Sequence, residues 1–294
     1  MARKQAPKRC GGEHPDWVWL TSGGIDSVAA YLLTKDALHD NYGKRPLLVY
    51  LDTRIGLPRQ RLYIEQLADA YGEQLWTLRT HEKFEDRVAK REKYAGRDDA
   101  GAPGAPQHAN VQNELKGRQR ETLNSRFKNL VCVTGIRAGE SENRAQYPKG
   151  EQSRGIQYVK PVYELSKEEC ARIILEHEDC PINPEWTSNH FTDCACLANG
   201  DPSELDTVQD KFPAFGQRIQ EYEEAIPDDG LQSVLGWDGL ASAEKNAREQ
   251  GLTQLSLCRG GCQRQVKTPI QRAFESVAEG TATRSEAAAM LSAA

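Results

Sequence analysis

The chain has 294 residues, is 38% hydrophobic and 28% charged, and carries a net charge of -5 with a mean hydropathy of -0.70. That length accommodates one large domain or a domain with an appendage, and still permits a substantial core. No run approaches the ~18 apolar residues of a membrane span, and the basic start has no apolar stretch behind it, so neither a membrane partner nor secretion is expected and the location expected is cytoplasmic. The negative total excludes a generally cationic surface for nucleic acid but leaves room for a local basic groove. Eight cysteines without a secretory signal point to metal or redox chemistry, away from a disulfide framework.

Residues 1–15 read as a flexible basic arm. Trp17-Val18-Trp19-Leu20 reads as a short buried strand running into Thr21-Ser22-Gly23-Gly24, and from Asp26 the pattern turns helical, with Val28, Tyr31 and Leu32 on one face. Leu47 to Leu51 is a second strand ending in Asp52-Thr53. Pro58 is placed to open a helix whose stripe is Tyr63, Leu67, Ala70 and Tyr71, and Gly72 stops it. Gln74 to Leu78 is a third strand. A Gly/Pro-rich loop over 95–108 precedes a helix from about Asn110 to Phe127. Leu130 to Thr134 is a fourth strand, and Tyr158-Val159-Lys160-Pro161 a short fifth. Ser166-Lys167-Glu168-Glu169 is a capping box opening the next helix. The alternation predicts an α/β fold with a doubly wound, mostly parallel sheet over 16–180. Beyond 180 the rhythm fades, which predicts a smaller helical, cysteine-containing C-terminal domain over 181–294, ending in a solvated Ala/Glu-rich helix. Trp76, Trp186 and Trp237 are expected in the core, as are Cys132 and Cys170.

Ser22-Gly23-Gly24-Ile25-Asp26-Ser27 falls where a strand ends and a helix begins. Glycines let the backbone approach an anion, consecutive N–H groups form a nest, and the helix N-terminus adds partial positive charge. Hydroxyls of Ser22 and Ser27 add donors, so the segment reads as a pyrophosphate cradle. It lacks the Gly-Lys-Ser/Thr of a Walker A loop. Arg137, with Gly135 just past the end of a strand, is placed to meet phosphate charge, because ligands of open α/β sheets bind there. Asp52 also ends a strand and is a candidate acceptor from ribose or adenine. Asp26 either caps its helix or helps organise Mg²⁺ at the phosphates. Lys116 and Arg118 either close onto the pyrophosphate or form a solvated helix face.

These segments resemble the PP-loop of the adenine-nucleotide α-hydrolase superfamily, and the sequence narrows further. His108 with Leu115-Lys116-Gly117-Arg118, and Thr134-Gly135-Ile136-Arg137-Ala138-Gly139-Glu140-Ser141, are similar to blocks of the phosphoadenosine phosphosulfate (PAPS) reductase family, and Lys160-Pro161-Val162 fits that family's next strand. The resemblance covers roughly residues 17–200. It implies a sulfur-related role with ATP and Mg²⁺ as nucleotide and cofactor, the loop with Asp52, Gly135 and Arg137 as binding residues, and Asp26, Arg137 and Lys116 as catalytic ones.

Cys194-Ala195-Cys196 and Cys258-Arg259-Gly260-Gly261-Cys262 are two close pairs, which together suit a four-thiolate site. The second spacing suits zinc and the first falls outside the usual zinc spacing; related PP-loop sulfur enzymes carry 4Fe–4S clusters, and the resemblance favours iron–sulfur with zinc as the alternative.

Four functions compete: an ATP pyrophosphatase activating an acceptor for sulfur insertion, as in DNA phosphorothioation proteins; a PAPS or APS reductase; a tRNA thiolation enzyme; and a non-catalytic nucleotide-sensing subunit of a defence complex. The reductases resemble one another in a Glu-Cys-Gly-Leu-His segment, and no cysteine follows Cys262 here. No RNA-binding module is recognisable. The first reading is therefore expected, with a cysteine desulfurase or other sulfur donor and DNA as partners, in a homodimer or a multi-subunit complex. The expected basic surfaces for DNA are the arm with Arg3, Lys4, Lys8 and Arg9, and the helix with Lys116, Arg118, Arg120, Arg126 and Lys128.

Overall fold

The computed structural model describes residues 15–42, 46–80, 116–127, 129–140, 142–146, 150–153, 155–187, 208, 210–224 and 267–292. The strands β1 (Asp16–Thr21), β2 (Leu47–Asp52), β3 (Leu75–Arg79), β4 (Leu130–Thr134), β5 (Gly150–Ser153) and β6 (Ile156–Val159) form one sheet in the order β3-β2-β1-β4-β6-β5. All neighbours pair in parallel except β5 with β6, which is antiparallel. The apolar runs have their reason here: parallel strands covered on both faces carry side chains that must be buried whichever way they point. β4 is buried at all five positions.

Among the described residues the helices of nine residues or more are α1 (Ile25–Tyr42), α2 (Gln60–Ala70), α3 (Arg118–Arg126), α4 (Lys167–Glu176), α5 (Pro213–Glu224), α6 (Pro269–Ala278) and α7 (Arg284–Ser292). One core cluster joins Trp19, Leu48, Tyr50 and Val133 of the sheet to α1, α2, α4, α6 and α7. The other face packs Val18, Val49 and Cys132 against Leu123 of α3. The sheet is therefore wound on both faces, and the strand order reverses between β1 and β4. That reversal leaves a crevice at the carboxyl ends of these strands, where open α/β sheets bind ligands.

The α2 helix starts at Gln60, two residues after Pro58, and buries Tyr63, Ile64, Leu67 and Ala68; Ala70, expected on that stripe, is exposed. Ser166 caps α4 through the expected box with Glu169. Cys132, Cys170, Trp76 and Trp186 are buried. Trp237 and residues 110–115 of the predicted helix lie outside the described residues. The β5 strand is absent from the sequence expectations, because Gly-Glu-Gln-Ser has no apolar alternation; a polar strand fits the sheet edge it occupies. Gly155, at φ 80°, supplies the left-handed turn into β6.

The Ala/Glu-rich tail is not a solvated helix. α7 buries Ala287, Ala288 and Leu291, and these join the same core cluster as the sheet. Composition misleads here because alanine serves both exposed helix and close helix–helix contact. Arg284 fixes the dock by donating to the carbonyls of Ile174 (3.3 Å), His177 (3.1 Å) and Cys180 at the end of α4. Leu291→Ala is expected to cost about 2–5 kcal/mol, the range for a buried leucine truncation. Urea unfolding reads this directly, and a change near zero would return the tail to solvent. Among the described residues no helix is long and apolar enough to cross a membrane.

Candidate functional site

The loop between β1 and α1 is built from hydroxyls and glycines. Thr21 Oγ1 and Ser22 Oγ lie 3.4 and 3.3 Å from Ser27 Oγ, so three hydroxyls converge at the start of α1. Ser22 N–H donates to Ser27 Oγ (3.3 Å), Gly23 N–H to Thr21 Oγ1 (3.2 Å), and Ser27 O–H to the Gly24 carbonyl (2.9 Å). The opening N–H groups of a helix have no partner within it and point at whatever sits before them. Gly23 adopts φ 73°, a left-handed conformation that side chains rarely take, and a Cβ there would meet the Gln60 side chain.

A second layer fixes this loop from behind. Gln60, at the start of α2, donates to the Ser22 carbonyl. The Gly23 carbonyl accepts from Asn183 Nδ2 (3.2 Å) and from the Trp186 indole N–H (3.1 Å). Asn183 also donates to Gln60 Oε1 at 3.0 Å. Gln60 and Asn183 are fully buried. None of the three is marked by the sequence as part of the site. Trp186, expected only as core, is core, but its polar edge also holds the loop.

From β4, Gly135 packs directly against the loop: a Cβ there would lie 2.4 Å from Ser27 N. Two residues on, Arg137 Nε lies 2.9 Å from Asp26 Oδ2, with both side chains largely buried. Asp26 is thus not the helix cap but the second residue of α1, and it faces Arg137. Burial pushes the Asp26 carboxyl above its ordinary range, and the Arg137 guanidinium opposes that push without cancelling it. Burial alone would lower Arg137; the Asp26 carboxylate outweighs it and holds the guanidinium charged. Asp26 Oδ1 is buried with no hydrogen-bond partner among the described residues. It is a buried acceptor beside the loop, on a carboxyl that also lies against the Cys170 thiol. Arg137 N–H donates to Glu140 Oε2 (3.1 Å), which fixes the turn after β4.

Asp52 is buried and already engaged: one oxygen accepts from Arg79 Nε (2.8 Å) and the other from Arg54 N–H (2.9 Å). It organises the turn after β2. The buried Gln119 of α3 donates to the Asp52 carbonyl at 3.3 Å, which brings the start of α3 to the carboxyl end of β2. Lys116, half-buried, and Arg118, exposed, sit at that start. Lys160, buried, directly follows β6 on the same sheet edge. Ser22, Gly23, Gly24, Asp26, Ser27, Gly135 and Arg137 are therefore brought together, with Asp52 at the end of the neighbouring strand and Lys116 at the start of α3. His108, Cys194, Cys196, Cys258 and Cys262 lie outside the described residues. Among the described residues no group of His, Cys, Asp and Glu would hold a metal by itself.

Among solved structures, the chain is similar to a PAPS reductase from Candida auris in its phosphate complex, with 19% identity, a TM-score of 0.43, and coverage of 62% of this chain and 82% of that one. It is also similar to the U34-tRNA thiolase NcsA from Methanococcus maripaludis with its 4Fe–4S cluster, with 14% identity, a TM-score of 0.36, and coverage of 76% and 80%. No curated protein matches. The family model of the phosphoadenosine phosphosulfate reductase domain matches residues 16–192, which is more than half of the chain and contains the whole loop, β4 and the Asp26–Arg137 pair. The chain belongs to the phosphoadenosine phosphosulfate reductase domain family.

Proposed function

We propose that this is a cytoplasmic ATP pyrophosphatase that splits ATP into AMP and pyrophosphate while activating an acceptor, the DNA backbone, for sulfur insertion. The observation that carries the reading is the loop at the start of α1. Three converging hydroxyls, helix N–H groups and a buried Arg137–Asp26 pair meet there, without a Walker A lysine. In this reading an acceptor oxygen attacks the α-phosphorus, the new O–P bond forms, the bond to the β-phosphate oxygen breaks, and pyrophosphate leaves with the electron pair. Arg137 meets the charge that develops on the phosphoryl oxygens, and Lys116 meets the leaving pyrophosphate. Sulfur from a separate donor then displaces AMP: the P–S bond forms as the P–O bond to AMP breaks, and persulfide sulfur from a cysteine desulfurase would be brought to the sulfide level by two electrons from a thiol reductant.

Asp26, with its buried oxygen beside the loop, is the carboxylate that fits Mg²⁺ or a water bound to it, and the ion would neutralise phosphate charge. Cys194, Cys196, Cys258 and Cys262 are a thiolate set that fits a 4Fe–4S cluster, which would supply sulfur-handling chemistry, and zinc is the alternative occupant. Anaerobically purified protein is expected to contain about four irons and four sulfides per chain and to lose them in any single Cys→Ala variant. One zinc and no iron would make the site structural.

Chromatography of the products of ATP turnover, with and without DNA, tests the central claim. AMP and pyrophosphate are expected, and ADP as sole product would sink it. The family match favours a second reading, reduction of a sulfonucleotide. Its signature would be sulfite released from PAPS with a thiol donor, with no sulfur entering DNA.

A further inference from the structure

A second concave site lies beside the loop. Between the turn after β2, the outer face of α2 and the start of α5 is a cavity of about 760 Å³. The first turn of α2 separates the two sites: Gln60 points inward to the Ser22 carbonyl, while Arg61 and Leu62 line the cavity. Four guanidiniums, Arg54, Arg61, Arg79 and Arg218, line it against two carboxylates, Asp52 and Glu65. Asp52 is already bound by Arg79 and by the Arg54 N–H, and Glu65 by Arg61 at 3.3 Å. Among the described residues the wall therefore carries more guanidiniums than carboxylates, on a chain whose total is negative.

Arg54 is held in an unusual way. Its φ of 65° is left-handed, which is uncommon outside glycine, and its Nε is buried with no hydrogen-bond partner among the described residues. Across the cavity, Arg218 donates to the Arg54 carbonyl at 3.3 Å and its guanidinium lies 5.2 Å from the Phe215 ring. Guanidinium forks meet phosphates and aromatic rings stack bases in single-stranded nucleic-acid grooves, and Arg54 and Arg218 with the Phe215 ring bring both kinds of group to this cavity.

The geometry points to this cavity as the seat of a backbone phosphodiester of a single-stranded or splayed nucleic-acid acceptor, next to but distinct from the nucleotide loop. The inference rests on the reading of the chain as acting on a nucleic-acid acceptor. It adds to the N-terminal arm and the α3 helix an acceptor surface of residues that sequence spacing does not bring together. A concave site of this size takes one or two nucleotides, not the side of a duplex.

The test uses the full chain and a fluorescein-labelled single-stranded DNA 12-mer, read by anisotropy over a salt series, with ATP binding measured separately. In an Arg54→Gln/Arg218→Gln variant, affinity for the 12-mer is expected to fall at least roughly tenfold. The slope of log K against log salt should flatten by about 0.7 for each phosphate that the variant no longer neutralises. ATP affinity should hold within about twofold. Glu65→Gln, which removes a facing carboxylate, should tighten 12-mer binding, and it keeps the test open should the double variant fold poorly. Unchanged 12-mer affinity and slope in these variants would overturn the inference. So would a loss of ATP affinity with 12-mer binding intact, which would give the cavity to the nucleotide. Because the readout is binding, ADP as the turnover product would sink the pyrophosphatase reading and leave this result standing, while AMP formation with a cavity indifferent to DNA would sink this inference alone.

Discussion

Gly135→Ala is expected to lower ATP turnover at least about a hundredfold while leaving the chain folded. A Cβ at this position would lie 2.4 Å from Ser27 N and 2.5 Å from both Asp26 C and Ser27 Cα. These are backbone atoms in the first turn of α1, so no side-chain rotation relieves the clash. Either β4 or the start of α1 must move by about an ångström, and displacement on that scale in a phosphate-positioning site costs on the order of 10² in rate. Overpacking of this kind costs about 1–3 kcal/mol, which a domain of this size survives. Gly139→Ala is the control. The nearest atom to its Cβ would be Arg137 Nη1 at 3.7 Å, an ordinary van der Waals distance. AMP release with parallel urea unfolding measures both effects. Full turnover in Gly135→Ala would mean that β4 does not hold the loop and that the nucleotide binds elsewhere.

Gly135 also illustrates what a sequence can and cannot carry. Its place after an apolar run marks the carboxyl end of a strand, and that is local information. The strand runs of β1, β2 and β4 are readable for the same reason: burial on both faces demands continuous apolar side chains. The loop is readable because strand end, glycines, hydroxyls and helix start are contiguous. The layer behind it is not. Asn183 is 160 positions from the Gly23 carbonyl it binds, and Gln60 stands 38 from Ser22. Each is an ordinary polar residue on its own stretch, and only the packing of α2 and the 180–187 segment against the loop gives it a role. Asp52 is legible only in part. Its position at a strand end suggests a ligand contact, and its engagement by the Arg54 N–H and by Arg79, 27 positions away, is visible only in the fold. The tail fails for a third reason, since alanine-rich helices are compositionally alike whether solvated or docked. The five-stranded parallel arrangement needs no such detail, because alternation of periods alone limits the topology.

Breaking the Asp26–Arg137 pair from one side is expected to abolish turnover and to cost about 3–5 kcal/mol, because each substitution strands a buried charge. The side chains are 16% and 9% exposed, so solvent screens the pair little. Arg137→Lys keeps the charge and loses the planar fork, and turnover should stay low. The pH dependence carries a definite sign. Burial raises the Asp26 carboxyl above its ordinary value of 3.8, with Arg137 opposing. The folded chain then binds the proton more tightly than the unfolded chain. The stability contributed by this group is full below the ordinary carboxyl range and is lost as pH rises through the raised folded value. Asp26→Asn removes the titration, so the unfolding free energy of the variant should depend less on pH across that window. A double variant, Asp26→Asn with Arg137→Met, separates architecture from chemistry. Apolar or neutral replacement of both partners of a buried pair is often neutral for stability, so the urea midpoint should return toward the parent value. Turnover should not return, because neither member of the pair would remain to meet the phosphoryl oxygens or a cation. Recovery of both in the double variant would make the pair a packing device and would remove Arg137 and Asp26 from the chemistry.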